Sequence, residues 1–353
     1  MPLPDRDAIS GWLTDRLLAD GCSNLSIGDV STPNAGFSGQ TVLFDASWRD
    51  GKGEPHTHDL VLRLQQADHQ VYLASDAVRQ ARTMQALAPF AGVAVPRVRF
   101  VETDTSALGA AFYVMDRVDG RIPVDVPSWH SRGWTVELAP ARRTELYDNG
   151  LSAMVALHRV DPHDGFEFLV EPGEGTALAR NVAMVQRWYD ACEPGRRYGG
   201  EVLATALGMV SDLMPADDAE VVIWGDARMG NIVFADDLGV AAMLDWEAAT
   251  TGPPGMDLGW WLMFENLLCE ARGAQRLEGV ADRDGTIRRY AELAGRSVGE
   301  VDYYELLADV GIMLITSVIA DNAVRSGAIS LEQSSGYPNR IVAMTEASIN
   351  RLR

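Results

Sequence analysis

Residues 221–265, VVIWGDARMGNIVFADDLGVAAMLDWEAATTGPPGMDLGWWLMFE, constrain this chain more than any other stretch. Two short apolar runs each deliver a carboxylate into a turn. Val221-Val222-Ile223 leads to Asp226, and residues 240–244 lead to Asp245. Asn231 stands five residues past the first aspartate. Taken singly, each is an ordinary turn or strand-end residue. Together, at two successive strand ends and in this order, they suit phosphoryl transfer. One carboxylate takes a proton from an attacking hydroxyl, while the amide and the other carboxylate hold Mg²⁺ on nucleotide phosphates.

The segment resembles the catalytic-loop motif of the aminoglycoside phosphotransferase and choline kinase families, H-G-D-x-x-x-x-N followed by D-W-E or D-F-G. Here the motif stands as Trp224-Gly225-Asp226-Ala227-Arg228-Met229-Gly230-Asn231, and its second part as Asp245-Trp246-Glu247. The wording W-G-D-A-R-x-G-N is similar to a bacterial subgroup akin to kinase domains fused to acyl-CoA dehydrogenases. The likeness runs from Gly36 to Asn266. It implies an α+β, bilobal, protein-kinase-like fold. A small β-rich N-lobe over 1–118 would bind the nucleotide, and a larger, mostly helical C-lobe over 119–353 would carry the catalytic loop and the acceptor. The implied activity moves the γ-phosphoryl group of ATP, or of GTP, to a small-molecule hydroxyl with Mg²⁺. Asp226 would be the base, and Asn231 and Asp245 the metal ligands. The alternative is a weak or inactive kinase-like protein that binds nucleotide as a regulatory module.

Upstream, residues 36–47 read as a turn rich in Gly and Ser before an alternating strand. Gly36, Ser38 and Gly39 would let backbone N–H groups approach phosphates, or form an ordinary hairpin. No G-x-x-x-x-G-K-[ST] occurs anywhere in the chain. In the resemblance, the next strand (59–64) carries the cation for the nucleotide phosphates. Lys52 is the chain's only lysine and lies in a turn, so Arg63 fills that position. A guanidinium keeps its charge and binds phosphate bidentately, but it is longer and more planar than an ammonium. The helix at 75–87 offers Gln80 where the family has a glutamate to pair with that cation. A strand at 111–115 leads into the adenine-binding hinge, with contacts expected at Met115, Asp116 and Val118.

Three further positions depart from or extend the motif. Arg228 follows Asp226 at the offset where Ser/Thr protein kinases place a lysine on the transferred phosphoryl group. It either meets that group or pairs with a C-lobe carboxylate. Asp257 resembles the family aspartate that anchors the catalytic loop through its backbone. Trp224 replaces a histidine that organises the backbone near the second metal-binding turn. Trp246, Trp260 and Trp261 read as core aromatics, and His158 as a packing or capping residue at a helix end.

Global properties exclude some classes. A net charge of −20 argues against a nucleic-acid partner. Most of the acidic excess lies beyond residue 115, where it would either attract a cationic acceptor or solvate helix faces. Cys22, Cys192 and Cys269 show no pairing pattern, as expected in a reducing cytoplasm. The start MPLPDRDAISGW has neither a basic region nor an apolar core, so no secretory leader is expected. The apolar run at 310–320 reads as too short for a membrane partner. Helical patterns at 142–158, 176–191, 201–213 and 303–324 would supply the C-lobe core.

Overall fold

Alternation places Leu60, Leu62 and Leu64 on one face of a strand and Val61 and Arg63 on the other. In the computed structural model, which describes residues 4–32, 40–65, 72, 76–192, 198–217, 219–330 and 339–353, that face is the N-terminal core. The chain divides into two units, Met1–Pro89 with Val95–Asp119, and Phe90–Ala94 with Gly120–Arg353.

The first unit begins with α1 (Arg6–Ala19) and the strands β1 (Ser23–Ile27), β2 (Gln40–Arg49) and β3 (Pro55–Leu64). After α2 (Ala77–Leu87) come β4 (Val98–Glu102), the short α3 (Thr105–Leu108) and β5 (Phe112–Asp116). The five strands form one antiparallel sheet in the order β1-β2-β3-β5-β4. Ile9, Leu13 and Leu17 recur at helical spacing along α1 and are buried with Val42, Phe44, Leu60, Leu62 and Val114 in one apolar cluster. α2 starts at Asp76, whose carboxylate accepts from the Val78 and Arg79 N–H groups, and it packs against β4 and β5.

The second unit is mostly helical. α4 (Pro140–Leu157), α5 (Ala177–Ala191) and α6 (Gly200–Asp212) precede two small antiparallel pairs. β6 (Val221–Ile223) pairs with β9 (Thr250–Gly252), and β7 (Ile232–Phe234) pairs with β8 (Val240–Met243). α7 (Gly255–Leu268), α8 (Arg283–Ala294), α9 (Val301–Arg325) and α10 (Asn339–Leu352) follow. The architecture is the expected bilobal α+β, and α4, α5, α6 and α9 fall on the four helical patterns read from the sequence.

α9 extends well beyond the apolar run at 310–320, and its 25 residues are long and apolar enough to cross a membrane by length and composition. Most of them are instead buried against α6, α7 and α10, so this helix is a protein core. Two glycines set its crossing with α7. A Cβ on Gly255 would stand 2.3 Å from the Tyr304 ring, and one on Gly259 would stand 2.4 Å from the Tyr304 carbonyl oxygen. The close crossing fixes the height of α7, which carries Asp257 and Trp260.

Asp309 is fully buried in α9, near Glu305 of the same helix and Ser348 and Arg351 of α10. Burial pushes its carboxyl up to about 7, Glu305 adds to the shift, and Ser348 and Arg351 offset it only in part. The native state therefore holds a proton that the unfolded chain has already lost. The stability contributed by neutral Asp309 is full below the ordinary value of 3.8 and is lost as pH rises to about 7. Asp309→Asn, neutral throughout, should flatten that part of the profile and raise the urea midpoint above pH 7. An unchanged slope in urea titrations across this window would exclude Asp309 as its source.

Candidate active site

β6 is buried along its whole length and ends in Trp224, Gly225 and Asp226. Gly225 has φ +85°, and a Cβ there would stand 2.2 Å from the Ala248 carbonyl oxygen, so no other residue fits this turn unchanged. The turn is held from below by Asp257 in the first turn of α7. Its two carboxylate oxygens accept from the Trp224 N–H and the Gly225 N–H, each at 2.8 Å. His158 Nε2 lies 2.9 Å from the same carboxylate, and its Nδ1 lies 2.6 Å from the Tyr290 hydroxyl. His158 thus does more than end α4: it joins α7 and α8 through a buried chain of polar groups.

The Trp224 indole N–H donates to the Leu244 carbonyl at 2.8 Å, and the Leu244 N–H donates to the Asn231 carbonyl at 2.8 Å. These two bonds tie the first turn to the residue preceding Asp245. The link expected of the family histidine is therefore supplied by an indole. Asp245 itself sits at φ +60°, a left-handed conformation that a non-glycine residue adopts at some cost.

Asp226 is buried and accepts three donors. Its Oδ1 takes Arg228 Nε at 3.0 Å and the Trp260 indole N–H at 2.8 Å, while Oδ2 takes Asn231 Nδ2 at 2.7 Å. Asn231 Nδ2 also donates to the Asp226 carbonyl at 3.0 Å. Its amide nitrogen is thus directed at Asp226, leaving Oδ1 on the other arm of the amide. Arg228 reaches further: Nη1 pairs with Asp125, and the guanidinium lies 5.0 Å from the centre of the Phe264 ring. Burial acts to lower its pKa, but Asp226, Asp125 and Asp245 outweigh this and raise it above its ordinary value. Of the two roles open to Arg228 in the sequence, carboxylate pairing is the one this geometry displays.

Oxygen donors from one carboxylate, Asp245, and one amide, Asn231, fit a small hard cation that takes its remaining ligands from phosphates and water. Among the described residues no three His, Cys, Asp or Glu side chains gather as a metal cluster. A cation shared with a nucleotide needs none.

The nucleotide-side candidates lie in the first unit. Arg63 faces Thr41 on β2 and Tyr113 on β5 in register, and its Nη1 donates to the Thr41 hydroxyl at 2.9 Å. The buried Gln80 carbonyl oxygen accepts from the Tyr113 hydroxyl at 3.2 Å, so Tyr113 adjoins both. Met115 and Asp116 end β5, with Val118 just beyond. Arg99 grips the Asp116 carboxylate with two bonds of 2.7 and 2.9 Å, and the Asp116 N–H donates to the Arg97 carbonyl at 2.9 Å. That N–H is therefore already committed within the sheet. Gly36, Ser38 and Gly39 lie outside the described residues.

Sequence reasoning missed Asp125 and assigned Trp260 to core packing alone. Trp260 had a findable signal, since it lies three residues after Asp257 on one helix and so shares its face. Asp125, alone among Val and Pro, had none.

Residues 29–295 match the sequence profile described as the phosphotransferase enzyme family. The chain is 35% identical over 177 residues to acyl-CoA dehydrogenase family member 11 of Gallus gallus, covering 49% of this chain and 21% of that protein. It spans between 21% and 29% of the length of the first curated relatives it matches. Among solved structures it resembles a candidate aminoglycoside phosphotransferase from Ralstonia eutropha, with a TM-score of 0.70, 22% identity and 98% of each chain covered. It also resembles an aminoglycoside phosphotransferase in ternary complex with ADP and hygromycin B, with a TM-score of 0.56 and 12% identity over 97% of this chain and 98% of that one. Identities this low establish a shared fold alone.

Asp257→Ala would leave two backbone N–H groups and His158 without their acceptor in a dry interior. The expected loss is roughly 3–5 kcal/mol of unfolding free energy, read by urea denaturation. A loss below about 1 kcal/mol would show that the loop holds its shape without this anchor.

Proposed function

Because the chain belongs to the phosphotransferase enzyme family, we propose that it is an ATP-dependent phosphotransferase acting on a hydroxyl group of a small molecule. The observation that carries the proposal is the pinned Asp226 carboxylate. A carboxylate offers about four lone-pair sites. Oδ1 already accepts two donors and Oδ2 one, so Oδ2 keeps a site for an acceptor hydroxyl.

In this reading the acceptor oxygen attacks the γ-phosphorus, the bond to the β,γ-bridging oxygen breaks, and ADP leaves. Asp226 Oδ2 receives the hydroxyl proton and passes it to solvent. Asn231 and Asp245 would hold Mg²⁺, which offsets charge on the nucleotide phosphates when bound. Arg63 contacts nucleotide phosphate, with Gln80 and Tyr113 beside it, and Gly36, Ser38 and Gly39 serve the same phosphates. The ends of β5 at Met115, Asp116 and Val118 receive the base. Arg228 sets the plane of Asp226, and its Nη2 would meet a phosphoryl oxygen. One structural neighbour holds ADP and two hold GDP, so Mg·GTP is tested as donor beside Mg·ATP. The acceptor is left at the level of its reacting group, because the aminoglycoside-named neighbours share the fold at 22% identity or less.

The direct test is ADP release from Mg·ATP over a panel of hydroxylated metabolites. One or more should raise turnover, and a product carrying phosphate on the hydroxyl should appear by mass spectrometry. No release above background with any acceptor or with water would overturn the assignment. Asp226→Asn should bind Mg·ATP normally and lower turnover by roughly 10²–10⁴-fold, the usual share of general base catalysis. Wild-type turnover in that variant would remove Asp226 from the mechanism.

Asp245→Ala should act on binding as well as on rate. Losing a charged ligand, at about 1.5–3 kcal/mol, should weaken Mg·ATP binding by roughly 10–150-fold in calorimetric titration. Unchanged affinity would move the metal site elsewhere.

A further inference from the structure

One donor to Asp226 and one partner of Arg228 originate outside the catalytic motif, and neither residue has an assigned role. We infer that Trp260 and Asp125 are positioning residues for Asp226, one acting directly and the other through Arg228. The inference rests on the proposed function and extends it to how the base is aimed.

The terminal torsion of an aspartate is broad, so its carboxylate plane is set by its partners. Oδ1 is held by two N–H groups on different elements, Arg228 Nε from the catalytic loop and the Trp260 indole from α7. Two donors converging on one oxygen leave the carboxylate little rotation and turn Oδ2 toward Asn231 and the acceptor. The indole is itself rigid and mostly buried, so its N–H is a fixed point.

Arg228 is a long side chain that could not act as a fixed donor unaided. Its far end is clamped by Asp125, and Phe264 lies beside its guanidinium. Asp125 opens a turn that follows Arg121, which is strapped to β7 by backbone bonds of 2.8 and 2.9 Å exchanged with Phe234. A second feature shows that the clamp is built into the motif. A Cβ on Gly230 would stand 2.5 Å from Asp125 Oδ1 and 2.7 Å from Arg228 Nη1. The ion pair occupies the space that a side chain at 230 would fill.

Trp260→Phe removes the indole N–H and keeps an aromatic ring. Asp125→Asn removes the charge and keeps the shape. Each is made singly and in the Asp226→Asn background in the full chain. ADP release from Mg·ATP is followed with water as acceptor, and thermal midpoints are recorded. Each single variant should lower kcat by roughly 10–100-fold, the scale of a misplaced reacting group, with KM for Mg·ATP unchanged. In the Asp226→Asn background neither should lower kcat further, since the residue they aim is gone. Asp125→Glu should recover part of the loss.

Wild-type kcat in both single variants, or an equal fall in the Asp226→Asn background, would overturn the inference. Should Trp260→Phe fail to fold, Asp125→Asn, on a partly exposed segment, decides the matter by the same two readings. The two levels fail differently. Loss of turnover in Asp226→Asn but in neither positioning variant rejects the inference alone. Turnover that ignores Asp226 altogether rejects the phosphotransferase mechanism as well.

Discussion

The buried carboxylate of Asp257 is the contact on which the candidate site depends. It is fully enclosed, and a charge so placed is costly unless its oxygens are satisfied. They are satisfied by two successive N–H groups of the loop and by His158, which the Tyr290 hydroxyl steadies in turn. The loop cannot move without stripping that carboxylate of its partners, so burial cost is converted into rigidity. The same logic explains the glycines of α7. Only a close crossing with α9 at Gly255 and Gly259 puts Asp257 beneath the loop and Trp260, one turn on, beside Asp226.

Rigidity of this kind also explains how the motif tolerates its departure at position 224. What the position must supply is a backbone N–H for Asp257 and a side-chain N–H for the strand end at Leu244. An indole provides the second at 2.8 Å and, unlike imidazole, has a single ring nitrogen that is always a donor. Its greater bulk is absorbed by the Trp246 ring, tilted against it with centroids 5.9 Å apart. Gln80 is a different sort of departure. An amide cannot ion-pair with Arg63, and its carbonyl oxygen accepts from Tyr113, which stands opposite Arg63 in the sheet. The connection there runs through a shared neighbour and is neutral on the glutamine side.

How much of this was legible in the sequence follows the range of each contact. Leu60, Leu62 and Leu64 announce a half-buried strand because the period of two is local, and α4, α5, α6 and α9 announce themselves by their own period. Asp226 and Asn231 are legible as a pair because a single turn, Met229–Asn231, folds the amide back onto the carboxylate. Asp125 reaches Arg228 across 103 residues, where no spacing rule operates, and Trp260 reaches Asp226 across 34, where the only signal is the helix face it shares with Asp257. The apolar run at 310–320 covers only part of α9 for another reason. Tyr303, Glu305 and Asp309 precede that run on the same helix, yet each is buried, because neighbouring helices supply partners that a hydropathy count ignores.

Charge ties these features to the chemistry. Asp226, Asp125 and Asp245 all act on a single guanidinium, Arg228, and together outweigh its loss of solvation. Three carboxylates against one cation leave a negative field around the two oxygen donors assigned to Mg²⁺, which suits a small divalent ion and would repel a bare phosphate. The left-handed backbone at Asp245 adds to this cost instead of relieving it, and strain of that sort persists only where the surroundings hold it in place. Leu244 and Trp224 are those surroundings, so the tether from the first turn keeps the second in a conformation it would not otherwise choose. In the proposed mechanism, nucleotide phosphates would arrive with the cation that balances them, and the excess charge selects for that pair over the free anion.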